Sequence, residues 1–362
     1  MTRIAILTPS VTTGDAVSND VFGMSDVLKR SGYETRVFAE GWTSDMFQVS
    51  PVSKISNYLR SPKDLLIYHH SRGWDLGLKL LGQLKCRMAL KYHNVTPPEF
   101  FEKFNSDFAR MCQEGRMQLP GIAAAGCDVY MSASAYNEKD LLDSGVSEER
   151  SFVVPPFHHT DRLNSITCDP QIMNRYQDDC TNILMVGRVA PNKNHAALIE
   201  TFAAYHRDYN QASRLFVVGK SESRLETYNR WLRKIAAHLK VEDAVIFTGE
   251  VSDRELKSYY TLANAFLMTS EHEGFCVPLI ESMSLRVPIV AYATSAIPGT
   301  VAGAGLVWSE RNPYLLAESV HSIVSRAGVR KFLQNVGAER YQNNFTNELI
   351  GRKFLAAIRP LL

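Results

Sequence analysis

Two glutamates stand eight positions apart in the stretch EHEGFCVPLIE, residues 271–281, on either side of a glycine and a proline. Carboxylates accept hydrogen bonds from paired hydroxyl groups, such as those of a ribose or a hexose. Pro278 suits the first turn of a helix, which places Glu273 in the preceding loop and Glu281 near the helix start. An alternative is that acids at a helix start only complement the helix dipole. This would explain the presence of Glu281 well and that of Glu273 poorly. The pair therefore suits a ligand that carries a sugar at each end and phosphate between them.

A second stretch, GRVAPNKN, begins at Gly187 where an apolar run ends, and it carries two cations, Arg188 and Lys193. Asn194 is a plausible N-cap for the segment that follows. A helix N-terminus favours anions through its unpaired N–H groups and its dipole. The cations and the helix start together predict a pyrophosphate site. The alternative interpretation is a solvated basic loop.

The loop TTGDAVSND follows the first apolar run and contains Gly14 and Asp15, which could approach a phosphate. The loop has no G-x-G-x-x-G pattern. The G-x-G of the sequence, at 303–305, lacks a third glycine and a following helix. These observations disfavour a nicotinamide-dependent dehydrogenase.

The elements that must position these residues alternate between strand-like and helix-like patterns, which predicts βαβ units and parallel sheets. A polar segment near 156–181, with Pro155, Pro156 and Pro170, predicts a connection between two domains. The fold expected is α/β, with two Rossmann-like domains that face each other across a cleft. Strands are predicted at 3–10, 33–40, 64–70, 87–94, 128–134, 151–156, 182–188, 214–219, 244–250, 265–270 and 288–293.

Length and composition narrow the class of protein. A chain of 362 residues is longer than one hydrophobic core usually serves, so two domains are expected. A net charge of +2 excludes a polycation that binds nucleic acid. The six cysteines show neither a C-x-x-C pair nor zinc-ligand spacing, and no apolar run reaches the ~18 residues of a membrane-spanning helix. We therefore expect a reduced, cytoplasmic chain that could touch the inner face of the membrane only peripherally.

The segments GRVAPNKN and SEHEGFCVPLIESMSLRVPIV resemble the signature segments of the family 4 retaining glycosyltransferases, which have the GT-B fold. The spacing of Glu273 and Glu281 and the order of the motifs agree with that family, although Arg286 stands where a small residue is usual. The resemblance implies an acceptor-binding domain over 1–160 and a nucleotide-sugar-binding domain over 175–342. It also implies that a final helix, about 343–362, packs back on the first domain.

Catalytic roles follow from the same resemblance for four residues. Arg188 and Lys193 would hold the donor diphosphate and offset the charge of the departing nucleotide. Glu273 would contact the donor sugar, and His93 stands where the family often places a sugar-contacting histidine. Glu281 would bind the ribose hydroxyls.

The predicted donor-binding set is wider, because Gly14 would approach the phosphate, the segment 249–251 would lie near the base, and backbone N–H groups would assist Glu273. In full it comprises Gly14, Asp15, Gly187, Arg188, Lys193, Gly249, Glu250, Val251, Glu273, Gly274, Phe275, Cys276, Val277 and Glu281. Two further histidines, His69 and His70, end a strand; they could line an acceptor site, but capping of the sheet is the preferred interpretation.

The function predicted is a retaining hexosyltransferase of polysaccharide biosynthesis. Its donor would be a nucleotide-diphosphate sugar, UDP-glucose first and GDP-mannose next, and its acceptor a glycan or lipid-linked saccharide. No cofactor is expected beyond this co-substrate, and no metal, since the sequence contains no Asp-x-Asp pair. Three alternatives remain: a UDP-sugar 2-epimerase of the same fold, a two-lobed sugar-binding protein, and an inactive partner that binds the donor.

Overall fold

The computed structural model describes residues 2–43 and 48–362 and divides into two compact units. The first unit comprises Met1–Pro98, Asp107–His159 and Phe345–Leu362, and the second comprises Glu99–Ser106 and Thr160–Asn344.

The first half of the chain alternates strands and helices: β1 Arg3–Val11, α1 Ala16–Arg30, β2 Glu34–Trp42, β3 Val49–Pro51, α2 Ile55–Tyr58, β4 Leu65–His70, α3 Asp75–Gln83, β5 Arg87–Tyr92, α4 Ser106–Met117, α5 Leu119–Ala124, β6 Val129–Ser132, α6 Ala135–Asp143 and β7 Ser151–Val153. In the described part of the first unit these strands form a seven-stranded sheet in the order β3-β2-β1-β4-β5-β6-β7. All of its neighbouring strands run parallel. β4 is a continuous run of buried residues because helices cover both faces of a parallel sheet.

The second half repeats this alternation: α7 Thr160–Ser165, α8 Pro170–Tyr176, β8 Thr181–Val186, α9 His195–Asp208, β9 Ser213–Val218, α10 Glu226–His238, β10 Val245–Gly249, α11 Asp253–Leu262, β11 Ala265–Met268, α12 Val277–Ser284, β12 Ile289–Tyr292, α13 Ile297–Val301, β13 Gly305–Trp308, α14 Pro313–Ser325, α15 Ala327–Asn344 and α16 Asn347–Ile358. Its strands form a six-stranded parallel sheet in the order β10-β9-β8-β11-β12-β13.

The last helix, α16, belongs to the first unit. Its buried Ile350 and Phe354 share a hydrophobic cluster with Val21 and Met24 of α1. The ring of Phe354 also packs edge-on against Phe157, with 6.2 Å between the ring centroids. Apolar burial of this kind contributes about 1.5–3 kcal/mol per large side chain, which is enough to hold the helix to the sheet of the first unit.

Strand order reverses once in each sheet, between β1 and β4 and between β8 and β11. In open α/β sheets, ligands bind beyond the carboxyl ends of the strands at such a reversal. The loops that follow β8 and β11, 187–194 and 269–276, are the two predicted site segments. In the first unit the corresponding loops are 12–15 and 71–74.

Several predicted features differ from the structure. Residues 99–106 were predicted to lie in the first domain, but they belong to the second unit, where Phe104 packs against Tyr228 with 4.9 Å between the ring centroids. The predicted connection 156–181 contains α7 and α8. β3 and β13 were not predicted, because both are short edge strands. Over the described ranges, no helix combines the length and apolar character needed to cross a membrane.

Candidate functional site

The two loops at the reversal of the second sheet meet through an ion pair. The ammonium group of Lys193 lies 2.6 and 2.7 Å from the two carboxylate oxygens of Glu273. The Glu273 side chain is 7% exposed and that of Lys193 is 17% exposed. The hydroxyl of Ser270 donates a further hydrogen bond of 2.7 Å to Glu273 Oε1. Each charge therefore has the other as its partner.

Backbone contacts fix the Glu273 loop. The Glu273 N–H donates to the hydroxyl of Ser295 at 2.7 Å. The side-chain amide of Asn192 donates to the His272 carbonyl at 3.1 Å, and the Glu271 N–H donates to the Asn192 carbonyl at 2.9 Å. These bonds join the loop after β11 to the loop after β8, so the backbone around the ion pair is fixed on both sides.

The loop after β8 ends in a cap, as predicted. Pro191–Lys193 form a short 3-10 turn, and Asn194 adopts a left-handed conformation with φ of 49°. Its side chain accepts a hydrogen bond from the Ala197 N–H, which makes Asn194 the N-cap of α9. The cap places Lys193 immediately before the helix N-terminus, where the dipole favours an anion.

Arg188 is held far less tightly than Lys193. Its side chain is 58% exposed and lies 3.8 Å from Glu222. Exposed ion pairs of this kind contribute only about 0–1 kcal/mol, so little opposes a turn of the guanidinium towards a stronger anion. A planar guanidinium can bind a phosphate through two hydrogen bonds.

Three glycines end neighbouring strands beside this loop. The Gly187 N–H donates to the Val218 carbonyl at 2.9 Å, and the Gly219 N–H donates to the Gly249 carbonyl at 3.0 Å. A Cβ at position 219 would lie 2.1 Å from the carbonyl oxygen of Gly187, so only glycine fits there. These three positions therefore carry no side chains, and a ligand can approach their backbone closely.

Glu281 lies near the start of α12, and its carboxyl has a hydrogen-bond partner of its own. It is the fifth residue of α12 and is 9% exposed. The hydroxyl of Tyr260, on α11, donates a 2.7 Å hydrogen bond to Glu281 Oε2. Burial raises the pKa of Glu281 to about 7, partly opposed by the Tyr260 hydrogen bond. The carboxyl can thus take up or lose a proton near neutral pH.

The remaining predicted residues of the second unit lie at the same edge of the sheet. Glu250 and Val251 follow β10, Glu250 being exposed. Cys276 has a φ of 73° and directly precedes Val277, the first residue of α12. The Phe275 carbonyl accepts from the Thr300 hydroxyl at 2.9 Å.

The backbone conformation of Arg286 accounts for the small residue expected at this position. It follows the C-terminus of α12 with φ of 58°, a left-handed conformation that glycine adopts without strain. Its guanidinium donates to Asn335 at 3.1 Å. The small residue expected at this position is thus a matter of backbone conformation, and the chain tolerates arginine there.

In the first unit, the carboxylate of Asp15 is hydrogen-bonded to the helix that follows it. Its carboxylate accepts hydrogen bonds from the Ser18 N–H and hydroxyl, both at 3.1 Å, and so caps α1. A carboxylate at this helix N-terminus opposes a second anion there. Gly14, with φ of 73°, forms the turn before this cap, and the donor-binding roles of Gly14 and Asp15 stay predictions.

His93 follows β5 and meets two groups that the sequence analysis did not connect. Its Nε2 lies 2.8 Å from Nδ1 of His69 and 3.6 Å from Oδ2 of Asp20. Burial, together with the neighbouring His69 and Lys91, holds the pKa of His93 well below its usual range. The ring is therefore neutral at physiological pH.

The ring of His70 is buried and contacts only groups of the first unit among the described residues. Its Nε2 lies 2.9 Å from the Gly115 carbonyl, and its Nδ1 lies 3.3 Å from the Tyr68 hydroxyl. Burial lowers its pKa to about 4. Both ring nitrogens of His70 therefore have hydrogen-bond partners within the first unit, which agrees with the preferred, structural interpretation of this residue. His69 instead contacts His93.

Sequence reasoning missed several residues of these sites. Three residues that lie just after strands were not predicted: Gly219, Ser270 and Ser295. For Gly219 the sequence did contain a signal, because this glycine ends the apolar run RLFVVG. The lysine within the apolar run RMALKYHN, Lys91, was another, because a lysine in a buried strand needs a partner. Nothing in the sequence pairs Tyr260 with Glu281.

Solved structures with the same architecture cover essentially the whole chain. The HepE protein of Anabaena, solved in complex with UDP and glucose, has a TM-score of 0.79 at 15% identity, with 99% of this chain and 100% of that chain covered. Sucrose-phosphate synthase from Thermosynechococcus elongatus has a TM-score of 0.78 at 19% identity, with 100% and 99% covered. At such identities the likeness establishes the fold, which is GT-B, with two Rossmann-like α/β domains.

Residues 174–340 match the family model described as glycosyl transferases group 1. Mannosylfructose-phosphate synthase of Agrobacterium fabrum is 27% identical over 180 residues, 48% of this chain and 40% of that protein. D-inositol 3-phosphate glycosyltransferase of Geodermatophilus obscurus is 26% identical over 242 residues, 64% of this chain and 52% of that protein. The chain spans about half the length of the curated relatives it matches. These matches agree with the coarser part of the predicted resemblance, which is similarity to glycosyltransferases.

Proposed function

We propose that the protein is a retaining hexosyltransferase of family 4 that uses a nucleotide-diphosphate sugar as donor. The observation that carries the proposal is the Lys193–Glu273 ion pair, which joins the two loops at the strand reversal of the second sheet. Arg188 lies on the first of these loops, and Glu281 lies on the helix that follows the second. These residues offer cations for a diphosphate and two separate carboxyls for two sets of sugar hydroxyls. The comparisons support a donor of this class, since a solved neighbour is a complex with UDP-glucose.

The Lys193–Glu273 ion pair provides a way to couple binding to catalysis. A diphosphate that binds at the start of α9 competes with Glu273 for the ammonium of Lys193. When Lys193 turns to the phosphate, the carboxylate of Glu273 gains free lone pairs for hydroxyls of the donor sugar. Lys193 and Arg188 then offset the negative charge that develops on the nucleotide as the glycosidic bond breaks.

Glu281 would bind the ribose, and the pH dependence of binding tests this role. Because burial raises its pKa to about 7, the carboxyl is protonated below that pH and ionised above it. Only the ionised form accepts from both ribose hydroxyls, so UDP-glucose should bind about tenfold more weakly near pH 6 than near pH 8. Isothermal titration calorimetry across this range measures the change.

The control for this titration is Glu281→Gln, which removes the titrating carboxyl and should bind UDP-glucose weakly with a flat pH profile. The ligand itself does not titrate in this range, because the sugar esterifies the terminal phosphate. A wild-type affinity that stays constant from pH 6 to 8 would place the ribose elsewhere.

We propose further that transfer needs no divalent metal. Arg188 and Lys193 lie on the loop that leads into the N-terminus of α9, so they could neutralise a diphosphate without an ion that must arrive before each turnover. The expected result is full release of nucleotide from the donor by metal-stripped protein in excess chelator. Loss of this activity, with recovery on addition of manganese or magnesium, would refute the proposal.

The finer assignments follow from the resemblance. UDP-glucose is the first choice of donor and GDP-mannose the second; a GDP-mannose-dependent mannosyltransferase of Mycobacterium tuberculosis, 26% identical over 213 residues, supports the second. The first unit would bind the acceptor, a glycan or lipid-linked saccharide in polysaccharide biosynthesis. Such an acceptor would bring the protein to the inner face of the membrane as a peripheral, cytoplasmic enzyme.

A further inference from the structure

Residues 99–106 are a short segment of the first half of the chain that belongs to the second unit. Their sequence, EFFEKFNS, holds three phenylalanines among charged residues. The charged side chains are exposed, whereas Phe100 and Phe104 are half-buried and Phe101 is buried. The Phe101 carbonyl accepts hydrogen bonds from the N–H groups of Phe104 and Asn105, at 2.9 and 2.7 Å. The segment is therefore a turn that presents aromatic side chains to the second unit.

The first contact of the segment lies next to Glu273. The ring of Phe100 packs against the ring of His272, with 6.2 Å between the centroids. His272 is 4% exposed, and it directly precedes Glu273 in the loop after β11. Its N–H and its carbonyl are both bonded to Asn192, so Phe100 adds a side-chain contact to a residue whose backbone is already held. Phe100 thus helps to set the position of the loop that carries Glu273.

The second contact leads to the start of α9. The ring of Phe104 packs edge-on against Tyr228 and tilted against Trp231, with centroids 4.9 and 5.9 Å apart. The hydroxyl of Tyr228, a residue that is 2% exposed, accepts a 3.2 Å hydrogen bond from the N–H of His195. His195 is the first residue of α9, the helix whose N-terminus is assigned to the diphosphate. Phe104 therefore restricts Tyr228, which in turn fixes the first turn of α9.

The third contact holds the turn before α10. The side-chain amide of Asn105 donates a 2.9 Å hydrogen bond to the Arg224 carbonyl. The carboxylate of Glu222, in the same turn, lies 4.0 Å from the guanidinium of Arg224 and 3.8 Å from that of Arg188. Asn105 therefore fixes the backbone that carries the ion-pair partner of Arg188.

We propose that residues 99–106 are a positioning segment for the donor site of the second unit. The segment fixes the loop that carries Glu273, the start of α9, and the turn that pairs with Arg188. This inference rests on the proposed transferase function. It assigns the segment no contact with the ligand itself, because each effect passes through a residue that the segment holds.

The alternative is that the segment only covers apolar surface of the second unit. Removal of a ring would then lower thermal stability and leave the binding of nucleotides by the folded protein unchanged. A positioning segment gives a different result, because a loosened site must be ordered again when the ligand binds, and this ordering costs affinity. The parts of the donor also report on different contacts, since a bare nucleotide lacks the sugar assigned to Glu273.

Phe104→Ala tests the contact with the start of α9. Whichever nucleotide wild type binds, UDP or GDP, should bind to the variant about tenfold more weakly, and UDP-glucose or GDP-mannose should weaken by the same factor. Isothermal titration calorimetry measures these affinities. Phe104→Leu keeps an apolar side chain at the position and should recover most of the loss. Unchanged affinity in Phe104→Ala overturns the role of Phe104.

Tyr228→Phe tests the route from the segment to α9. The variant keeps the ring that packs against Phe104 and removes the hydroxyl that accepts from the His195 N–H. It should weaken nucleotide binding about as much as Phe104→Ala does, and the double variant should lose little more than either single variant. If the two losses add in full, the residues act independently, and the route through Tyr228 is overturned.

Phe100→Ala tests the contact with the Glu273 loop. The kcat for release of nucleotide from UDP-glucose or GDP-mannose should fall about tenfold, because a small displacement of a group on the reacting sugar costs rate steeply. The affinity for UDP or GDP alone should remain that of wild type. A loss that appears equally in the affinity for the bare nucleotide contradicts the assignment of Phe100 to this loop.

The matched control is Tyr209→Ala, which removes a ring from the opposite end of α9. Tyr209 directly follows that helix and stacks on Tyr205 and His321, with centroid distances of 5.9 and 4.4 Å. The control should keep the wild-type affinity and kcat, whatever its effect on the Tm. If Tyr209→Ala and Phe104→Ala both weaken nucleotide binding in proportion to their loss of thermal stability, the segment is only structural and the proposal is overturned.

A measurement on the unchanged protein covers variants that do not fold. Because linkage is reciprocal, a segment that stabilises the ligand-binding conformation is itself stabilised by the ligand. Amide hydrogen exchange of residues 99–106 should therefore slow when UDP or GDP saturates the protein, together with that of residues 192–198. Slower exchange at 192–198 with unchanged exchange at 99–106 overturns the inference.

These outcomes separate the inference from the proposed function. If calorimetry detects no binding of either nucleotide or either nucleotide sugar by wild type, the proposed function fails, and the segment has no site to position. If wild type binds and turns over a nucleotide sugar, and Phe104→Ala and Phe100→Ala do so with unchanged constants, the positioning role alone fails.

Discussion

Replacing Lys193 with alanine is expected to cut the release of nucleotide from the donor by about a hundredfold or more, the scale of losing one electrostatic stabiliser of a transition state. Two effects add. The variant loses a cation for the diphosphate, and it leaves the buried carboxylate of Glu273 without the ammonium that lies 2.6 Å away. Steady-state kinetics with UDP-glucose and GDP-mannose measure the loss.

Two variants separate these effects. Lys331→Ala removes the same charge from an exposed position on α15 and should leave turnover unchanged. The neutral pair Lys193→Met with Glu273→Gln should recover the thermal stability of wild type while turnover remains low. Near-normal turnover in Lys193→Ala would move the diphosphate to another part of the protein.

The second large effect concerns stability. Lys91→Met should lower the free energy of unfolding by about 3–5 kcal/mol, because it leaves the carboxylate of Asp20 buried without a counter-charge. Burial alone raises the pKa of Asp20, and Lys91 is the main group that opposes this rise. Urea denaturation at neutral pH, monitored by tryptophan fluorescence, measures the change.

The double variant Lys91→Met with Asp20→Asn is the control for this loss. Removal of both charges leaves no uncompensated ion, so most of the stability should return. If the single and double variants are equally unstable, the loss comes from packing around Lys91, and the ion pair contributes little.

Local patterns predicted most strands and the helix starts, because alternation and capping act over a few residues. The Asn194 cap and the strands before both site loops are examples. Strand order and the edge strands β3 and β13 depend on pairings distant in sequence, which local patterns do not contain. The placement of 99–106 in the second unit depends on the contact of Phe104 with Tyr228, which is equally distant.

The candidate site shows the same division. Residue type and spacing identified Lys193 and Glu273 separately, but the ion pair joins positions 80 residues apart and appears only in the folded chain. Asp20 looked like one more polar residue on an amphipathic helix, yet it is fully buried beside Lys91. The environment that raises the pKa of Glu281 is likewise tertiary, since it includes Tyr260 from another helix.

The central claim is that the second unit binds a nucleotide-diphosphate sugar, and direct binding tests it most simply. Thermal unfolding of wild type and Glu281→Gln would be compared at pH 8 with UDP-glucose, GDP-mannose, glucose and mannose. A ligand at about 100 times its dissociation constant adds about 2.7 kcal/mol to stability, so at least one nucleotide sugar should raise the wild-type Tm. The same ligand should raise the Tm of Glu281→Gln much less, and the free sugars should raise neither. Stabilisation by free glucose or mannose, or by none of the four compounds, would contradict the account.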